Sequence, residues 1–504
     1  MIVSKYAKRD MMQSEFSQRA NRIAVHGLGL SVDVYSPNLF HLVQTLRDEG
    51  LRPGYLEIFK ATTSAMQWVR QQLPGIKLPY HGEGLWVTQP DFQQSCSGRQ
   101  GVAEACAQIA ALGSAWLNHE CATKHMAGYA FGTYLPPLYT DLSARMTAEN
   151  LAFLQEQLDR QARCHENGTT LVLLEMPPLT YFACGSLGVP DFFRAVTDRV
   201  ACGLVLDIGH LWTVYRYTGA WCRHTLQAFA SEFLDAFPME RVVEIHVAGL
   251  AEFANQNWST GAGEGATLPA WIDAHGAPIP EVLFDLLAQV LAHPRLTSLK
   301  GVALEVDTKP VAEIVREFRG FVDRFASKVR WSDQSAGLSA QQRDGSGVLL
   351  CTDGRNGPTR DEQETLRRQY HDYVAFVTSS DPMPMAGDLA LLGGSLDDLN
   401  RYRETYLPHE LLHWGGELKD MFPKTCRLLE EAQIKVDRFI PFWFEKPRPE
   451  QEDYDFFLLK VDRFVEFAAS GCPSAATTVE DEAGELRAAY RAANEPIGSA
   501  EVSA

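Results

Sequence analysis

No stretch of this sequence stays apolar for the roughly 18 residues or more that a membrane-crossing helix needs, so a spanning segment is not expected. No CxxC pair occurs among its ten cysteines, and their scatter over 504 residues lacks the density of a secreted disulfide scaffold. They read as reduced thiols. Positive charge is short: 46 lysines and arginines against 64 aspartates and glutamates leave a formal net charge of -18, with no basic stripe to offset it. Such a surface repels a phosphate backbone, and nucleic acid is not an expected partner. The opening MIVSKYAKRDMMQSEF places charges where a secretory signal has its apolar core, so a cytoplasmic protein is expected. Solenoid periods and low-complexity tracts are also absent.

What is present is alternation. From about residue 23 to residue 330, short apolar runs rich in β-formers alternate with stretches that carry apolar residues at three- and four-residue spacing, the pattern of repeated βα units. The runs are IAVHGLGLSV, YLEIFKA, KLPYHGEGLW, AWLNHECA, TTLVLLEMPP, GLVLDIGHL, VVEIHVAGL and SLKGVALEVDT. Eight parallel strands close a barrel, so the fold predicted for residues 1–330 is a (β/α)₈ TIM barrel. Polar, glycine-rich sequence at 331–360 reads as a linker, and helical periodicity over 361–504 predicts a mainly helical accessory domain. The tail after Gly471 reads as loosely ordered.

Three of the runs end alike: LVLLE at Glu175, GLVLD at Asp207 and GVALE at Glu305. A carboxylate delivered by an apolar run into a closed setting is costly unless a cation meets it, and a barrel brings all strand ends to one mouth. The alternative is that each acid pairs with a lysine or arginine, Lys300 and Lys309 being nearest in sequence to Glu305. Histidines occur at matching places, His81 in LPYHGEG, His119 in WLNHE and His246 in EIHVAG. Two local spacings add Asp207 with His210 and Asp273 with His275. The set is five imidazoles and four carboxylates with no thiolate, a donor chemistry that suits iron, manganese or zinc. It exceeds the needs of one ion and would serve two or three if Glu175 bridges.

The order GLGL, LEI, HGEG, a histidine after the fourth run, LLE with prolines following, LDxxH, EIHVAG, IDAH and LEVD resembles the multinuclear non-heme iron-dependent oxidases. This barrel family includes the methanobactin-biosynthesis oxidase, and the resemblance covers about residues 23 to 320. It implies an iron held by His81, His119 and Glu175, a second by Glu175, Asp207, His246 and Glu305, and a third by His210, Asp273 and His275. It further implies mixed-valent iron, O₂ as co-substrate, and oxidation of a cysteine thiolate in a peptide, or of a small thiol, in natural product biosynthesis. Glu175, Asp207, His246 and Glu305 would then be catalytic. Relatives often use a separate protein to present the peptide, a task the C-terminal domain is expected to take over. Two departures bear on the reaction: Met176 stands where an asparagine commonly follows the bridging glutamate, and Leu250 where a histidine often ends the AGH segment.

His26 and Glu57 also lie on predicted strands, with structural roles expected. GLGLS lacks the spacing of a dinucleotide fingerprint. The C-terminal domain holds His409-Glu410-Leu411-Leu412-His413, with the HExxH spacing of zinc proteases and Glu417 four residues on, although Trp414-Gly415-Gly416 would disturb the helix. Barrels with comparable mouths also act as sugar isomerases and as zinc-dependent hydrolases at abasic sites. A binding module with a structural metal is the remaining, non-enzymatic reading.

Overall fold

A computed structural model describes residues 5–165, 170–253, 268–329, 331, 357–379, 387–449 and 456–494. Its strands are β1 (Gly27–Val32), β2 (Leu56–Phe59), β3 (Tyr80–His81), β4 (Trp116–Glu120), β5 (Thr123–Met126), β6 (Tyr129–Leu135), β7 (Leu171–Glu175), β8 (Gly203–Asp207), β9 (Val242–Val247), β10 (Leu250–Glu252), β11 (Trp271–Asp273) and β12 (Gly301–Glu305). Every one of the eight apolar runs contributes a strand to a closed parallel barrel, in the order β1-β2-β3-β4-β7-β8-β9-β12 and back to β1. The TIM barrel expected from the alternation is therefore the fold. Strands β4, β7, β8, β9 and β12 are buried along their whole length, as parallel strands covered on both faces must be.

Between the strands lie helices Leu39–Asp48, Cys96–Leu112, Asp141–His165, Leu226–Ala236, Glu281–Leu291 and Val311–Phe325, where the sequence periodicity places them. Local chemistry sets their ends. The Asn38 side chain accepts the His41 N–H and Thr225 accepts that of Ala228, while Gly113 closes its helix in the left-handed region at φ 66°.

Three elements were not anticipated. Helix Lys5–Ala20 sends Met12, Phe16 and Ala20, spaced four apart, against Tyr55, Trp116, Leu171 and Val243, sealing the end of the barrel at which the strands begin. Two antiparallel ribbons, β5–β6 and β10–β11, are short and lack a clear alternation.

One ring is central to the barrel floor. Tyr55 is fully buried, its hydroxyl donates to Glu244 Oε1 at 2.6 Å, and β1 and β12 make room for it with glycine. A methyl at Gly29 would stand 2.5 Å from the Tyr55 ring and 2.7 Å from its carbonyl oxygen, and one at Gly301 would stand 2.6 Å from the hydroxyl. Above this floor the parallel register sets the polar residues level: Glu120 pairs with Glu175, Asp207 with His246, and Ser31 with both Glu57 and Glu305.

The described residues form two compact units. One is drawn from Met1–Thr123, Leu135–Tyr370 and Pro384–Leu399, the other from Lys124–Tyr134, His371–Met383 and Asn400–Ala504. Most of the 331–360 linker, residues 332–356, lies outside the described residues. The second unit gathers Phe422, Phe439, Trp443, Phe464 and Phe467 into an aromatic core, and Trp443 Nε1 donates to Ala130 O at 2.6 Å. Contrary to the loose tail expected after Gly471, Ala476–Asn494 is a helix whose Glu482 accepts the N–H groups of Lys424 and Thr425. Its alanine-rich sequence is strongly helix-forming even where its apolar stripe is weak. Among the described residues no helix is long and apolar enough to cross a membrane.

Gly29→Ala is expected to destabilise the chain by about 1–3 kcal/mol, because the methyl has no space beside Tyr55. An unchanged midpoint in urea would mean that the ring does not fill the floor as described.

Candidate metal centre

The pleat sends alternate residues of each strand inward, and at the carboxyl ends these are acids and imidazoles. Glu175 ends β7, Asp207 ends β8, His246 lies near the end of β9, and Glu305 ends β12; all four are at most 1% exposed. His81 ends β3, and its Nε2 is 3.4 Å from Glu175 Oε2. His246 Nδ1 lies 3.3 Å from Glu175 Oε1 and 3.2 Å from Glu305 Oε1. His210, in the first turn of helix Ile208–Tyr217, brings Nε2 within 3.8 Å of Asp207 Oδ1 and 3.6 Å of Asp273 Oδ2. His275 Nε2 is 3.1 Å from Asp273 Oδ2 and 3.4 Å from Glu305 Oε2. Residues spread from position 81 to position 305 thus meet at one mouth.

Two of these imidazoles are anchored by one nitrogen and present the other to the acids, and a third, His246, touches Glu57 without a hydrogen bond. His210 Nδ1 is 2.6 Å from the Met176 carbonyl oxygen, His275 Nδ1 is 2.5 Å from Asp307 Oδ1, and His246 Nε2 is 3.1 Å from Glu57 Oε2. The acids are held in the same one-sided way. Asn118 Nδ2 donates to Glu175 Oε2 at 2.6 Å, and the His210 N–H donates to Asp207 Oδ1 at 2.6 Å. What remains at the mouth includes a set of buried polar atoms with no hydrogen-bond partner: His81 Nδ1, Glu175 Oε1, Asp207 Oδ2, His210 Nε2, both nitrogens of His246, Asp273 Oδ1 and Glu305 Oε2. Buried polar atoms rarely go unsatisfied, and cations among them would relieve several at once. One atom from each of Glu175, Asp207, His210 and Glu305 falls within a mutual 4.8 Å, as do atoms of Glu57, His81 and Glu305, and of Glu57, Glu244 and His246. These residues fit metal ions.

Charge points the same way. The ion-pair partners of Glu175, Asp207 and Glu305 are imidazoles, whereas Lys309 pairs at 2.6 Å with Glu317. Without a metal the imidazoles must carry the positive charge. Burial opposes this at His81, but the contact with Glu175 and the charges of Glu57 and Glu305 prevail and push it up to about 9. His210, His246 and His275 are likewise raised despite burial, by their surrounding carboxylates. Burial raises Asp207 to about 6 against the pull of His210, and raises Glu244 to about 8 with the help of Glu57.

His119 does not join the group. Its Nε2 accepts the Leu85 N–H at 3.0 Å and its Nδ1 lies 2.7 Å from the Glu120 carbonyl oxygen, so both nitrogens are spent on backbone. Burial, then the charge of His81, lowers its pKa to about 4. The inward positions of β4 are Trp116, Asn118 and Glu120, and it is Glu120 that stands level with Glu175. Burial and the charge of Glu175 raise the Glu120 carboxyl to about 7. Glu120, Glu244 and Asp307 were all missed in the sequence, yet each shares the parity of an inward neighbour two residues away: Asn118, His246 and Glu305. His26 sits on the floor with Tyr55 and Trp116, its Nδ1 2.7 Å from Ala24 O, a structural place as expected. Leu250 lies opposite Asp273 in the β10–β11 ribbon.

The barrel and this mouth define a (β/α)₈ protein whose buried acids and imidazoles form several groups that could hold metal ions. Residues 56–321 match the family described as RiPP precursor modification enzyme MbnB/TglH/ChrH, and the chain belongs to that family. Its members modify precursors of ribosomally made peptides. Similar chains include a "UPF0276 protein" of Caulobacter vibrioides (strain NA1000 / CB15N), 27% identical over 281 residues that cover 54% of this chain and 86% of that one. Another, from Anaeromyxobacter sp. (strain Fw109-5), is 23% identical over 305 residues, covering 59% and 92%. Among solved structures, endonuclease IV from Thermus thermophilus is 16% identical with a TM-score of 0.34, over 59% of this chain and 99% of that one. A likeness at that score carries no argument about chemistry.

Metal and protons compete for the same nitrogens, so loading must expel protons that the raised imidazoles hold at pH 7. Apparent affinity is expected to climb as pH rises toward about 9, where His81 is already losing its proton, and to weaken as pH falls. A pH-stat titration of the metal-free chain that recorded no acid release would contradict this arrangement.

Proposed function

We propose that this chain is an O₂-dependent oxidase that holds two or three iron ions at the barrel mouth and oxidises a cysteine thiolate of a precursor peptide. The observation that carries the reading is the convergence of buried lone pairs on Glu175, Asp207, His210, His246 and Glu305 without a hydrogen-bond partner. One ion would take His81 and Glu175 with Glu120 in the place expected of His119; a second Glu175, Asp207, His246 and Glu305; a third His210, Asp273 and His275. Glu175 would be shared by the first two, because it reaches both His81 and His246. Bound there, iron would supply the electrons that activate O₂ and a site for a soft thiolate.

The chain's own residues supply orientation and access. Glu57 Oε2, 3.1 Å from His246 Nε2, favours by its charge the ring orientation that faces Nδ1 toward Glu175 and Glu305. Asp307 and the Met176 carbonyl do the same for His275 and His210. Because a backbone carbonyl anchors His210, methionine at position 176 costs the centre no anchor. Asp273 and His275 are the ligands nearest to solvent, with side chains 20% and 19% exposed, and the substrate is expected to approach across them. The deeper ligands are sealed from water, which limits leakage of reactive oxygen species.

The test is anaerobic purification, metal quantification and Mössbauer spectroscopy, followed by oxygen-uptake assays with a cysteine-bearing precursor peptide and its serine counterpart. Iron with uptake only for the cysteine peptide is expected; zinc or manganese with no uptake would replace this reading with hydrolysis or isomerisation. Glu175→Ala should abolish uptake while circular dichroism still reports a folded chain. Glu57→Gln, which leaves His246 less firmly oriented, is expected to cost about 10–100-fold in metal affinity or activity.

A further inference from the structure

A stretch that follows the linker in sequence belongs to the barrel in space. Residues 387–399 fall within Pro384–Leu399 and so within the first unit. Leu391 forms an antiparallel bridge with Cys184 in the loop after β7, where the Gly185 N–H donates to the Ala390 carbonyl oxygen and the Leu392 N–H to the Ala183 carbonyl oxygen, each at 2.9 Å. The chain then lies on the last turn of helix Ile208–Tyr217. Glycine permits the close approach. A methyl at Gly394 would stand 2.6 Å from the Tyr217 carbonyl oxygen, and methyls at Gly393 and Gly219 would collide with the carbonyl oxygens of Thr218 and Gly393.

One ion pair completes this attachment and links it to the metal centre. Arg216 Nη1 donates to Asp398 Oδ2 at 3.2 Å, the two side chains being 11% and 9% exposed, and Ser395 Oγ donates to the same oxygen at 2.9 Å. The Nε of the same guanidinium donates to the Pro269 carbonyl oxygen at 3.3 Å, and the neighbouring Tyr217 hydroxyl donates to the Trp271 carbonyl oxygen at 2.8 Å. Pro269 leads into β11 and Trp271 begins it; its last residue is Asp273. The β10–β11 ribbon pairs over only three residues a strand, too little to hold its own position. Its place is set by the helix beside it. That helix carries Arg216 and Tyr217 in its last turn and His210 in its first, and Asp273 Oδ2 lies 3.6 Å from His210 Nε2.

We propose that Arg216, held by Asp398, is a positioning residue of the metal centre: it fixes β11 so that Asp273 faces His210 at the mouth. This rests on Asp273 being a metal ligand. A largely buried guanidinium that lost its carboxylate would turn toward water and release the Pro269 carbonyl, loosening the strand that carries Asp273. The segment after the linker thereby completes the barrel, and the outer edge of the mouth depends on residues more than a hundred positions further along the chain.

The experiment titrates the full chain, stripped of metal, with ferrous iron under anaerobic conditions, and counts bound iron after gel filtration. Asp273→Ala sets the reference and is expected to weaken binding at the mouth by about 10–100-fold. Asp398→Ala should weaken it about tenfold, the low end of what residues that orient ligands contribute, and Asp398→Glu should recover most of that loss. Arg216→Lys keeps a charge for Asp398 but lacks the fork that also reaches Pro269, so it should weaken binding like Asp398→Ala although the ion pair persists. In the Asp273→Ala background, Asp398→Ala should cost nothing further, because both act through one ligand. Circular dichroism and the urea midpoint report the fold in each case. Iron binding that matches the wild type in Asp398→Ala and Arg216→Lys, or losses that simply add in the double variant, would overturn the proposal and leave the pair a support of the fold alone. Asp273→Ala with undiminished binding would instead remove Asp273 from the ligands, and the proposal with it.

Discussion

Negative charge packed into the barrel mouth is the constraint on which the rest of this structure depends. Glu57, Glu175, Asp207, Glu244 and Glu305 are all buried among one another, and the counter-charges that meet them are imidazoles. Two unit charges 4 Å apart interact by about 4 kcal/mol at the effective dielectric of a protein interior near its surface. Several such repulsions cannot be left standing in a domain whose net stability is about 5–15 kcal/mol. Protons on the histidines and on Glu244, whose carboxyl is pushed up to about 8, relieve them in the metal-free chain, and cations would relieve them more fully. The same crowding therefore explains the raised imidazoles, the unsatisfied lone pairs and the fit to metal ions.

Directionality comes from outside the ligand ring. A carboxylate at Asp307 and a backbone carbonyl at Met176 each take one nitrogen of a histidine and so aim the other at the acids, and the charge of Glu57 lies 3.1 Å from His246 Nε2. Asn118 does the equivalent for Glu175. Further down, the Tyr55 ring fills the floor beneath glycines and ties Glu244 in place, so the polar layer rests on a packed apolar one. The ligand atoms are thus positioned by groups that need not touch an ion, and precision at the mouth is inherited from packing at the base.

The second unit solves a smaller problem by related means. A lysine sequestered among three carbonyls stabilises a turn, and the turn sets Glu417 beside His413. Here the HExxH spacing was visible in the sequence together with the Trp-Gly-Gly that breaks the helix, but the break is what returns Glu417.

Much of the barrel was legible without coordinates, because apolar runs of strand length alternating with amphipathic helices admit few other closures, and because three runs each deliver an acid at the same end. Helix Lys5–Ala20 was not legible, since its buried stripe is only three residues and acquires meaning from the open barrel end it covers. Nor was the choice between His119 and Glu120: neighbours in a strand face opposite ways, and only the pairing of Asn118 and Glu120 with the β7 strand decides which of them faces inward. Residue types and spacing by themselves determined that acids and imidazoles would collect at one rim. Which nitrogen each histidine offers, which oxygen each acid keeps, and which β4 side chains face the mouth were decided by tertiary structure, because those depend on anchors supplied by distant segments of the chain.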